Sequence, residues 1–291
     1  MRADHSSRTA CFIARSLIFS ARGPESARLV STRSLAMALA GLHAEGVDAR
    51  RWWRLCGVPW IRRLLTTMER WLLPGIVLHY VLRKRAIAEA VNRELVKPER
   101  SAVVIGCGLD ALSWQIRRDH PRARVQEIDH PATLALRRRA CAGTGSWPER
   151  KACDLATDDL ALGLDDQTPA VVVLEGLLMY LEADRVLHLL RTIATTTAPG
   201  SLIIFTTMIG DPAAAIRFAD AHPLIDRWLA KQGEPFRWSI RREDLAASLQ
   251  QVGLSLCSVQ EAADLARAHL PSTDRRCGAA GEAVVTARTG P

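Results

Sequence analysis

Four polar features of this sequence could together bind a ligand that carries hydroxyl and charged groups. The first is the glycine pair in Gly106-Cys-Gly108, which follows a short apolar run, and the others are the carboxylates Asp129, Asp154 and Glu175. Glycines let backbone approach a ligand closely, and free N–H groups at the start of a helix bind polar ligand atoms. Carboxylates accept hydrogen bonds from hydroxyl groups, such as the two of a ribose, and attract cations. The set therefore predicts a site for a nucleoside-like ligand.

Each of these residues also has a purely structural interpretation. The two glycines could form an ordinary turn between a strand and a helix. Asp129 could cap a helix that begins at Pro131, and Asp154 and Glu175 could be solvated loop acids. All four features, however, lie at the ends of predicted strands, and this joint placement favours a binding site over four separate explanations.

The elements that must position these side chains alternate between strands and helices. Apolar runs predict strands over 101–105, 123–128, a short segment closed by Asp154, 170–174, 201–207, 254–259 and 282–288. Helical spacing of apolar residues predicts helices over 111–118, from Pro131 onward, over 181–195 and over 241–252. Such alternation implies an α/β fold with a doubly wound, mostly parallel, Rossmann-like sheet, whose ligands bind at the carboxyl ends of the strands.

The first hundred residues differ in composition and pattern, because they are rich in Ala and Arg and contain apolar residues at helical spacing. We therefore expect a helical N-terminal cap over 1–100 and a Rossmann-like core over 101–291. Breaks between the helices of the cap are expected at Pro24, 57–59 and 74–75. Within the core, prolines and glycines in 209–238 predict an irregular insert after the fifth strand.

The glycine loop leaves two ligand classes open. Gly106-x-Gly108-x-x-Ala111 fits the fingerprint of dinucleotide-binding proteins, and Asp129 follows at a plausible distance. This pattern permits an NAD(P)-dependent oxidoreductase. In most dehydrogenases the fingerprint lies near the start of the domain, whereas about a hundred residues of helical pattern precede this loop.

Three motifs resemble the leucine carboxyl methyltransferase family. They are VVIGCGLD at 103–110, EIDHP at 127–131 and EGLLMYL at 175–181. The segments SRTA at 7–10 and GEPFRW at 233–238 also resemble the bacterial branch of S-adenosylmethionine-dependent O-methyltransferases linked to polyketide and other secondary metabolism. The resemblance covers roughly residues 7–288, and it implies a class I methyltransferase fold with S-adenosylmethionine as the cofactor.

The resemblance also implies cofactor contacts, residue by residue. Arg83 is expected to bind the methionine carboxylate, and Glu175 to lie near the methionine amino group. Gly106 would pack against the cofactor, with Gly108 in the same loop. Asp129 would bind the ribose, and Asp154 and Leu155 would flank the adenine. The set is chemically coherent, because S-adenosylmethionine carries a sulfonium, an ammonium, a carboxylate and a ribose diol.

The chain departs from the family pattern within the glycine loop. Ala111, Leu112 and Gln115 stand where the family often has Thr, Arg and Arg. Ala88 stands where the helix that carries the arginine often has an aspartate, five residues after that arginine. These departures imply altered bracing of the loop and weaker cofactor binding. A degenerate, non-enzymatic member of the family is therefore a further alternative.

The expected reaction is methyl transfer to an oxygen, either of a carboxylate or of a hydroxyl group. A carboxylate is ionised at neutral pH and needs no general base, but it needs a hydrogen-bonding or cationic clamp. We expect Tyr180 and Arg237 to form this clamp, with Arg8 or Arg15 as alternatives. A phenol acceptor would need a base, for which His222 is a candidate. The motif D/N-P-P-Y/F of many nitrogen methyltransferases is absent after the fourth strand.

Charge narrows the expected partners. The 291 residues contain 39 Lys and Arg against 31 Asp and Glu, a formal net charge of +8. Residues 1–100 hold 18 of the basic and 8 of the acidic residues, a balance of +10, and the remainder has a balance of −2. Because the excess belongs to the cap, we expect an acidic small-molecule acceptor and neither a nucleic acid nor a membrane as partner.

Cysteine and tryptophan usage adds two expectations. The seven cysteines are scattered, without a C-x-x-C pair or zinc-ligand spacing, which predicts reduced thiols in a cytoplasmic protein and no metal site. Trp52, Trp53, Trp60 and Trp71 are expected to pack between helices of the cap, with the lining of an acceptor pocket as the alternative.

Overall fold

A mixed eight-stranded sheet forms the centre of the described fold. The structure, a computed structural model, describes residues 7–24, 26–97, 100–142, 148–164, 167–274 and 276–290. The strands are β1 (Ser101–Ile105), β2 (Val125–Asp129), β3 (Glu149–Ala152), β4 (Ala170–Leu174), β5 (Leu202–Ile209), β6 (Ser239–Ile240), β7 (Leu254–Gln260) and β8 (Glu282–Thr289). Their order is β3-β2-β1-β4-β5-β8-β7, and β6 pairs with β5. Only the pairings of β8 are antiparallel in the described sheet, so the predicted mostly parallel α/β fold is confirmed.

Helices cover both faces of this sheet. In the first third they are α1 (Arg8–Ala21), α2 (Thr32–Ala44), α3 (Ala49–Cys56), α4 (Pro59–Leu72) and α5 (Ile76–Leu95). Further along they are α6 (Leu112–Asp119), α7 (Pro131–Ala140), α8 (Ala183–Thr196), α9 (Pro223–Gln232), α10 (Leu245–Gln251) and α11 (Ala262–His269). The predicted helix breaks in the first third all fall between these helices. Among the described residues, no helix combines the length and the apolar character needed to cross a membrane.

The short strand β6 and two helices after residue 200 were not predicted, although each of the helices carries a local signal. Residues 209–238 are not irregular throughout, because α9 begins with a proline after His222 and ends at Gly233, whose φ is +75°. Proline at the first position and glycine after the last are ordinary helix boundaries. Helix α11 begins with a reciprocal capping box between Glu261 and Asp264. In the case of α9, the surrounding prolines and glycines obscured a short helix.

Alternating side chains of the central strands feed two hydrophobic cores. Ala102 and Val104 of β1 face a core that includes Leu17 of α1 and Leu82 of α5. The intervening Val103 faces a second core with α8 and α10. Since side chains of a strand alternate between its two faces, a fully covered strand must be apolar on both. The helices of the first third thus share one core with the sheet, whereas a functional division at residue 100 stays a prediction.

The chain reverses direction across the sheet between β1 and β4. From β1 it proceeds outward through β2 and β3, and it then returns to β4 on the other side of β1. Ile105 pairs with Ile128 on one side and with Leu174 on the other. The residues that follow these three strand ends therefore meet at one edge, which is the position where ligands bind in sheets of this type.

Candidate functional site

A cavity of about 350 Å³ lies at this edge, beneath α1. Its lining includes all nine residues singled out from the sequence. These are Arg83, Gly106, Gly108, Asp129, Asp154, Leu155, Glu175, Tyr180 and Arg237. The fold thus brings the nine together, while the part that each plays in binding stays a prediction.

The glycine loop after β1 forms a backbone cradle in this cavity. Gly106 has a φ of +69° and Gly108 a φ of +49°, a left-handed conformation that side chains disfavour. A Cβ at Gly106 would also lie 3.2 Å from two carbons of Leu177. The Gly106 N–H is used within the sheet, where it donates to the carbonyl of Ile128 at 2.8 Å. Glycine at 106 is therefore required both by the backbone conformation and by the space that a side chain would fill.

Asp129 at the end of β2 is tied to this loop. Its Oδ2 accepts the N–H of Gly108 at 2.7 Å, and its Oδ1 accepts the N–H of His130 at 2.6 Å. Burial raises the pKa of Asp129, and the two backbone donors oppose that rise. A carboxylate offers about four acceptor positions. Asp129 therefore fixes the loop and retains capacity for hydroxyl groups of a ligand.

A buried arginine supplies the loop bracing that the sequence seemed to lack. The Nη1 of Arg137, on α7, donates to the carbonyls of Gly108 and Asp110, each at 2.8 Å. The other side of its guanidinium pairs with Glu127 of β2, which is also fully buried. Burial alone would raise the pKa of Glu127, but the Arg137 charge holds it below its usual value. The loop is therefore braced by Arg137 of α7, which lies outside the motif that departs from the family pattern, and weaker cofactor binding stays a prediction.

Sequence reasoning missed Arg137 for a physical reason. It belongs to a run of three arginines, Arg137 to Arg139, and such runs usually form a solvated helix face. The available signal was Glu127, an acidic residue in the interior of a strand predicted to belong to the sheet. A buried carboxylate requires a charged or hydrogen-bonding partner, and an arginine ten residues later on the following helix is within reach.

Arg83 and Glu175 form part of a buried ion network. Arg83 Nη1 lies 2.9 and 2.8 Å from the two carboxylate oxygens of Glu282, and its Nη2 lies 2.8 Å from Glu175 Oε1. Lys84 Nζ lies 3.0 Å from Glu175 Oε1 and also pairs with Asp110. Arg83 is thus held by two carboxylates of the chain itself. Its contact with the carboxylate of a bound ligand stays a prediction.

Glu282 was not foreseen as part of this site. It opens β8 and is completely buried between Arg83 and His79, whose Nε2 lies 2.7 Å from Glu282 Oε2. Burial opposes its ionisation, but Arg83 and His79 together lower the pKa of Glu282 to about 2. Glu282 therefore carries the negative charge that keeps Arg83 in place.

The N-terminus of α1 closes the cavity through a contact with the insert. Glu234 accepts the N–H groups of Arg8 and Thr9 at 3.1 and 3.0 Å, and the hydroxyl of Thr9 at 2.5 Å. Nearby, burial raises the pKa of Tyr180, and its ring packs against Phe236 with centroids 5.5 Å apart. Glu234 was not among the predicted residues, although it lies within the GEPFRW segment.

The predicted clamp residues differ in their surroundings. Tyr180 is beside the covered part of the cavity, whereas Arg237 is half exposed and pairs with Glu182 at the rim. Of the alternatives, Arg15 is exposed and His222 caps α9 by accepting the N–H of Leu224 at 3.2 Å. None of the three alternatives, Arg8, Arg15 and His222, belongs to the described lining.

The four tryptophans do not line the cavity either. Trp52 and Trp53 pack against the core of the cap, as expected. Trp60 and Trp71 are largely exposed, so the expectation that they pack between helices was wrong. Their helical spacing on α4 is that of a packed face, but in this fold α4 turns this face outward.

The charge of the lining suits a ligand that is cationic overall. Its described basic residues are Arg83, Lys84, Arg185 and Arg237. Its acidic residues are Asp110, Asp129, Asp154, Glu175, Glu182 and Glu234. Six acidic against four basic groups leave a balance of −2. S-adenosylmethionine has a net charge of +1 at neutral pH, whereas a dinucleotide brings a doubly negative pyrophosphate beside the loop, next to Asp110. The donor set and the glycine cradle thus fit S-adenosylmethionine better than a dinucleotide.

Comparisons with known proteins point to the same cofactor. A relative from Frankia alni is 29% identical over 191 residues, which are 58% of this chain and 62% of that protein. A relative from Mycolicibacterium smegmatis is 36% identical over 111 residues, which are 35% of this chain and 37% of that protein. Both carry the name "Putative S-adenosyl-L-methionine-dependent methyltransferase". The chain thus matches less than two thirds of the length of each relative.

A solved structure supports the fold. The crystal structure of a "putative methyltransferase" from Thermobifida fusca aligns with a TM-score of 0.59 at 18% identity, and it covers 89% of this chain and 96% of its own. At this identity the likeness shows a shared fold. The sequence pattern of the family described as leucine carboxyl methyltransferase matches residues 26–194, more than half of the 291 residues. The chain therefore belongs to the leucine carboxyl methyltransferase family, whose cofactor is S-adenosyl-L-methionine.

Proposed function

We propose that this protein transfers a methyl group from S-adenosylmethionine to a carboxylate oxygen of a small molecule, with a secondary metabolite as the acceptor. Family membership supports the cofactor and the class of reaction. The chemistry of the cavity near Tyr180 supports the choice of a carboxylate. Both parts are open to direct assay.

The residues of the cavity divide the work of holding the cofactor. Asp129 would accept the ribose hydroxyls, and Leu155 with Asp154 would flank the adenine. Glu175 would face the ammonium group, and Arg83 the methionine carboxylate, with Glu282 fixing the arginine. When bound, S-adenosylmethionine supplies a methyl group that its sulfonium already activates toward nucleophiles. The role of the protein is to hold the acceptor oxygen, the methyl group and the sulfur in line, which is the main requirement of an in-line displacement.

The single observation that carries the choice of acceptor is the lack of a base beside Tyr180 in the described lining. Glu234 already accepts three hydrogen bonds from α1. His130 lies on the other side of the cavity, with Nε2 3.8 Å from Asp154. A carboxylate acceptor needs no proton removed, because it is already ionised. Tyr180 would donate a hydrogen bond to it, and Arg237 would attract it at the rim.

Closure by α1 has a role in this proposal. Methyl transfer to a carboxylate competes with the solvation of that carboxylate by water. The bond between Glu234 and the first turn of α1 holds apolar residues such as Ile13 and Leu17 over the cavity. These residues would displace water from the acceptor, and the donors named above would replace it.

The test is a methyl-transfer assay with isotopically labelled cofactor over candidate carboxylic acids, phenols and extract of a producing cell. Labelled product that releases its label as methanol in mild base is a methyl ester and supports the proposal. A base-stable labelled product would identify an ether or an amine and would overturn the carboxylate part.

Calorimetric titration with S-adenosylhomocysteine and with NAD accompanies this assay. Binding of S-adenosylhomocysteine without any labelled product would favour a degenerate member of the family. Binding of NAD alone would contradict the cofactor assignment altogether. The two measurements together therefore separate the three functions that the sequence left open.

A further inference from the structure

Helix α4 is held firmly in place, yet it is the only described α-helix without a buried residue. On its inner side, Arg62 Nη1 donates to the carbonyls of Phe19 and Cys56 at 2.9 and 3.2 Å. Also on that side, Glu69 Oε1 accepts the N–H of Val77 at 3.1 Å. The outer side of α4 is therefore presented in a fixed orientation.

The outer side carries a stripe of large apolar side chains. Trp60, Leu64, Met68 and Trp71 are spaced by four, four and three residues, which places them on one face of the helix. They are 66%, 51%, 46% and 62% exposed, respectively. Trp71 stacks on His222 with centroids 4.5 Å apart, and the neighbouring Leu224 is 43% exposed. Contiguous exposed apolar surface of this kind marks an interaction site.

The charge around this stripe is predominantly positive. Residues 49–72 contain six arginines and a single acidic residue, Glu69, whose carboxylate points to the backbone of α5. Arg63 and Arg70 are exposed and lie seven residues apart, on the same side of the apolar stripe. Three further exposed arginines lie on α3, which packs beside α4. They are Arg50, Arg51 and Arg54. A partner that complements this surface must therefore have an apolar interior beneath an anionic surface.

We propose that this α4 surface, formed by Trp60, Leu64, Met68, Trp71, Arg63 and Arg70, binds an anionic lipid membrane with the helix lying in the plane of the interface. Amphipathic helices with tryptophan and leucine on one side and arginine beside them bind in this way, with the apolar side chains at the boundary between headgroups and acyl chains. Tryptophan favours this boundary because its ring is apolar and its N–H is polar.

The positive charge distinguishes a membrane from a second copy of the chain. Two copies that met through α4 would bring two arginine-rich surfaces together, and juxtaposed like charges oppose association. Anionic phosphates of lipid headgroups would instead pair with the guanidinium groups, which form strong bonds with phosphate. The proposal is independent of methyl transfer, and it reverses the expectation of no membrane partner.

The test is sedimentation of the full chain with vesicles of phosphatidylcholine, alone or mixed in equal parts with phosphatidylglycerol. We expect binding to the mixed vesicles that weakens as salt is raised. The double variant R63Q/R70Q should bind about 30-fold less, since each arginine near an anionic surface contributes about 1 kcal/mol. The double variant L64Q/M68Q should bind more than about tenfold less, because two apolar side chains no longer enter the interface.

Matched controls address the same residue types elsewhere. Val96→Gln and Arg267→Gln alter exposed side chains outside the α4 surface, and both should leave vesicle binding unchanged. Circular dichroism establishes that all variants are folded. Failure of the parent chain to sediment with the mixed vesicles would overturn the proposal. A dimer in analytical ultracentrifugation that L64Q/M68Q converts to monomer would also overturn it, in favour of a protein interface.

Discussion

At the residue scale, the carboxylate of Asp129 accepts hydrogen bonds from two backbone N–H groups even without a ligand. Its two oxygens serve Gly108 and His130 separately, so the side chain both shapes the loop and faces the cavity. Helix α7 is capped by His130, whose Nδ1 accepts the N–H of Ala132 at 3.2 Å, so the capping interpretation of Asp129 was wrong. The double use of Asp129 makes this residue a sensitive place to test the site.

Asp129→Asn should weaken the binding of S-adenosylhomocysteine by about 10- to 100-fold, since hydrogen bonds to a charged acceptor contribute about 1.5–3 kcal/mol. The amide keeps one oxygen acceptor but turns an NH₂ group toward a backbone N–H. Isothermal titration calorimetry measures the change. Asp154→Asn, at a more exposed position of the same cavity, is the control and should have a smaller effect. Equal affinity of parent and Asp129→Asn would contradict the ribose assignment.

A second residue-scale consequence concerns pH. The pKa of Glu282 is about 2 in the folded chain against an ordinary value of 4.5, so its stabilising effect is complete above pH 4.5 and is lost as the pH falls from 4.5 toward 2. Glu282→Gln should therefore lower the free energy of unfolding at pH 7 by about 3–5 kcal/mol, because it leaves the buried Arg83 charge without one partner. It should also reduce the loss of stability between pH 5 and pH 3.

Urea unfolding at pH 7, 5 and 3 measures both effects of Glu282→Gln. The exposed Glu243→Gln serves as a control for removal of an acid as such. A parent and a Glu282→Gln variant with the same dependence on pH in this range would show that Glu282 is not the group responsible.

At the element scale, the buried pair of Arg137 and Glu127 joins α7 to β2 and to the loop after β1. Arg137→Met should destabilise the fold by about 3–5 kcal/mol, because Glu127 would remain as a buried charge with its main partner removed. The double variant Arg137→Met with Glu127→Gln should recover part of that loss, since it removes both charges. Chemical denaturation of the parent, of Arg137→Met and Glu127→Gln as single variants and of the double variant completes the cycle, and strictly additive losses would argue against a direct interaction.

Two variants distinguish the effect of the contact between α1 and the insert from the effect of losing a helix cap. Glu234→Ala should reduce stability by about 2 kcal/mol and increase the dissociation rate of S-adenosylhomocysteine about tenfold, since α1 is no longer tied over the cavity. Asp48→Ala removes the side chain that caps α3 through the N–H of Arg51 at 2.8 Å. It should cost about 1 kcal/mol of stability and leave the dissociation rate unchanged. Stopped-flow displacement compares the rates, and equal rates in both variants would refute the closing role.

The elements show where sequence reasoning succeeds and where it stops. The strand ends that carry Gly106 and Glu175 were predictable, because buried parallel strands are continuous apolar runs followed by polar residues. The end at Asp129 followed from its place between a strand pattern and the helix that begins at Pro131. Glu282 and Glu234 were not predictable, because their roles depend on residues 199 and 225 or more positions away. Arg137 and the stripe of Trp60 and Trp71 show a further limit, since helical periodicity marks a face without saying whether it turns inward or outward.

At the scale of the whole molecule, the helices of the first third and the sheet share one hydrophobic core. We therefore expect a single cooperative thermal transition rather than separate unfolding of residues 1–100. Differential scanning calorimetry should give equal calorimetric and van't Hoff enthalpies. S-adenosylhomocysteine at 100 times its dissociation constant should stabilise the folded state by about 2.7 kcal/mol. Two resolved transitions would instead show that the cap folds as an independent unit.

The positions of the charged residues in the structure change the interpretation of the net charge of +8. The lining of the cavity is acidic, whereas all the arginines of α3 and α4 except Arg62 are exposed on the outside. The composition therefore reports on the outer surface of the cap more than on the acceptor. The proposal of an acidic acceptor rests instead on the lack of a base near Tyr180 among the described residues of the lining.

The pairing of Arg83 with Glu282 also determines when the site can form during synthesis of the chain. The two residues are 199 positions apart in the chain, and Glu282 opens the last strand. A ribosome that adds roughly 5 to 20 residues per second leaves Arg83 without this partner for on the order of 10 to 40 s. A nascent chain therefore holds a cation at the future centre of its cofactor site, and that site is completed only when the final strand has left the exit tunnel.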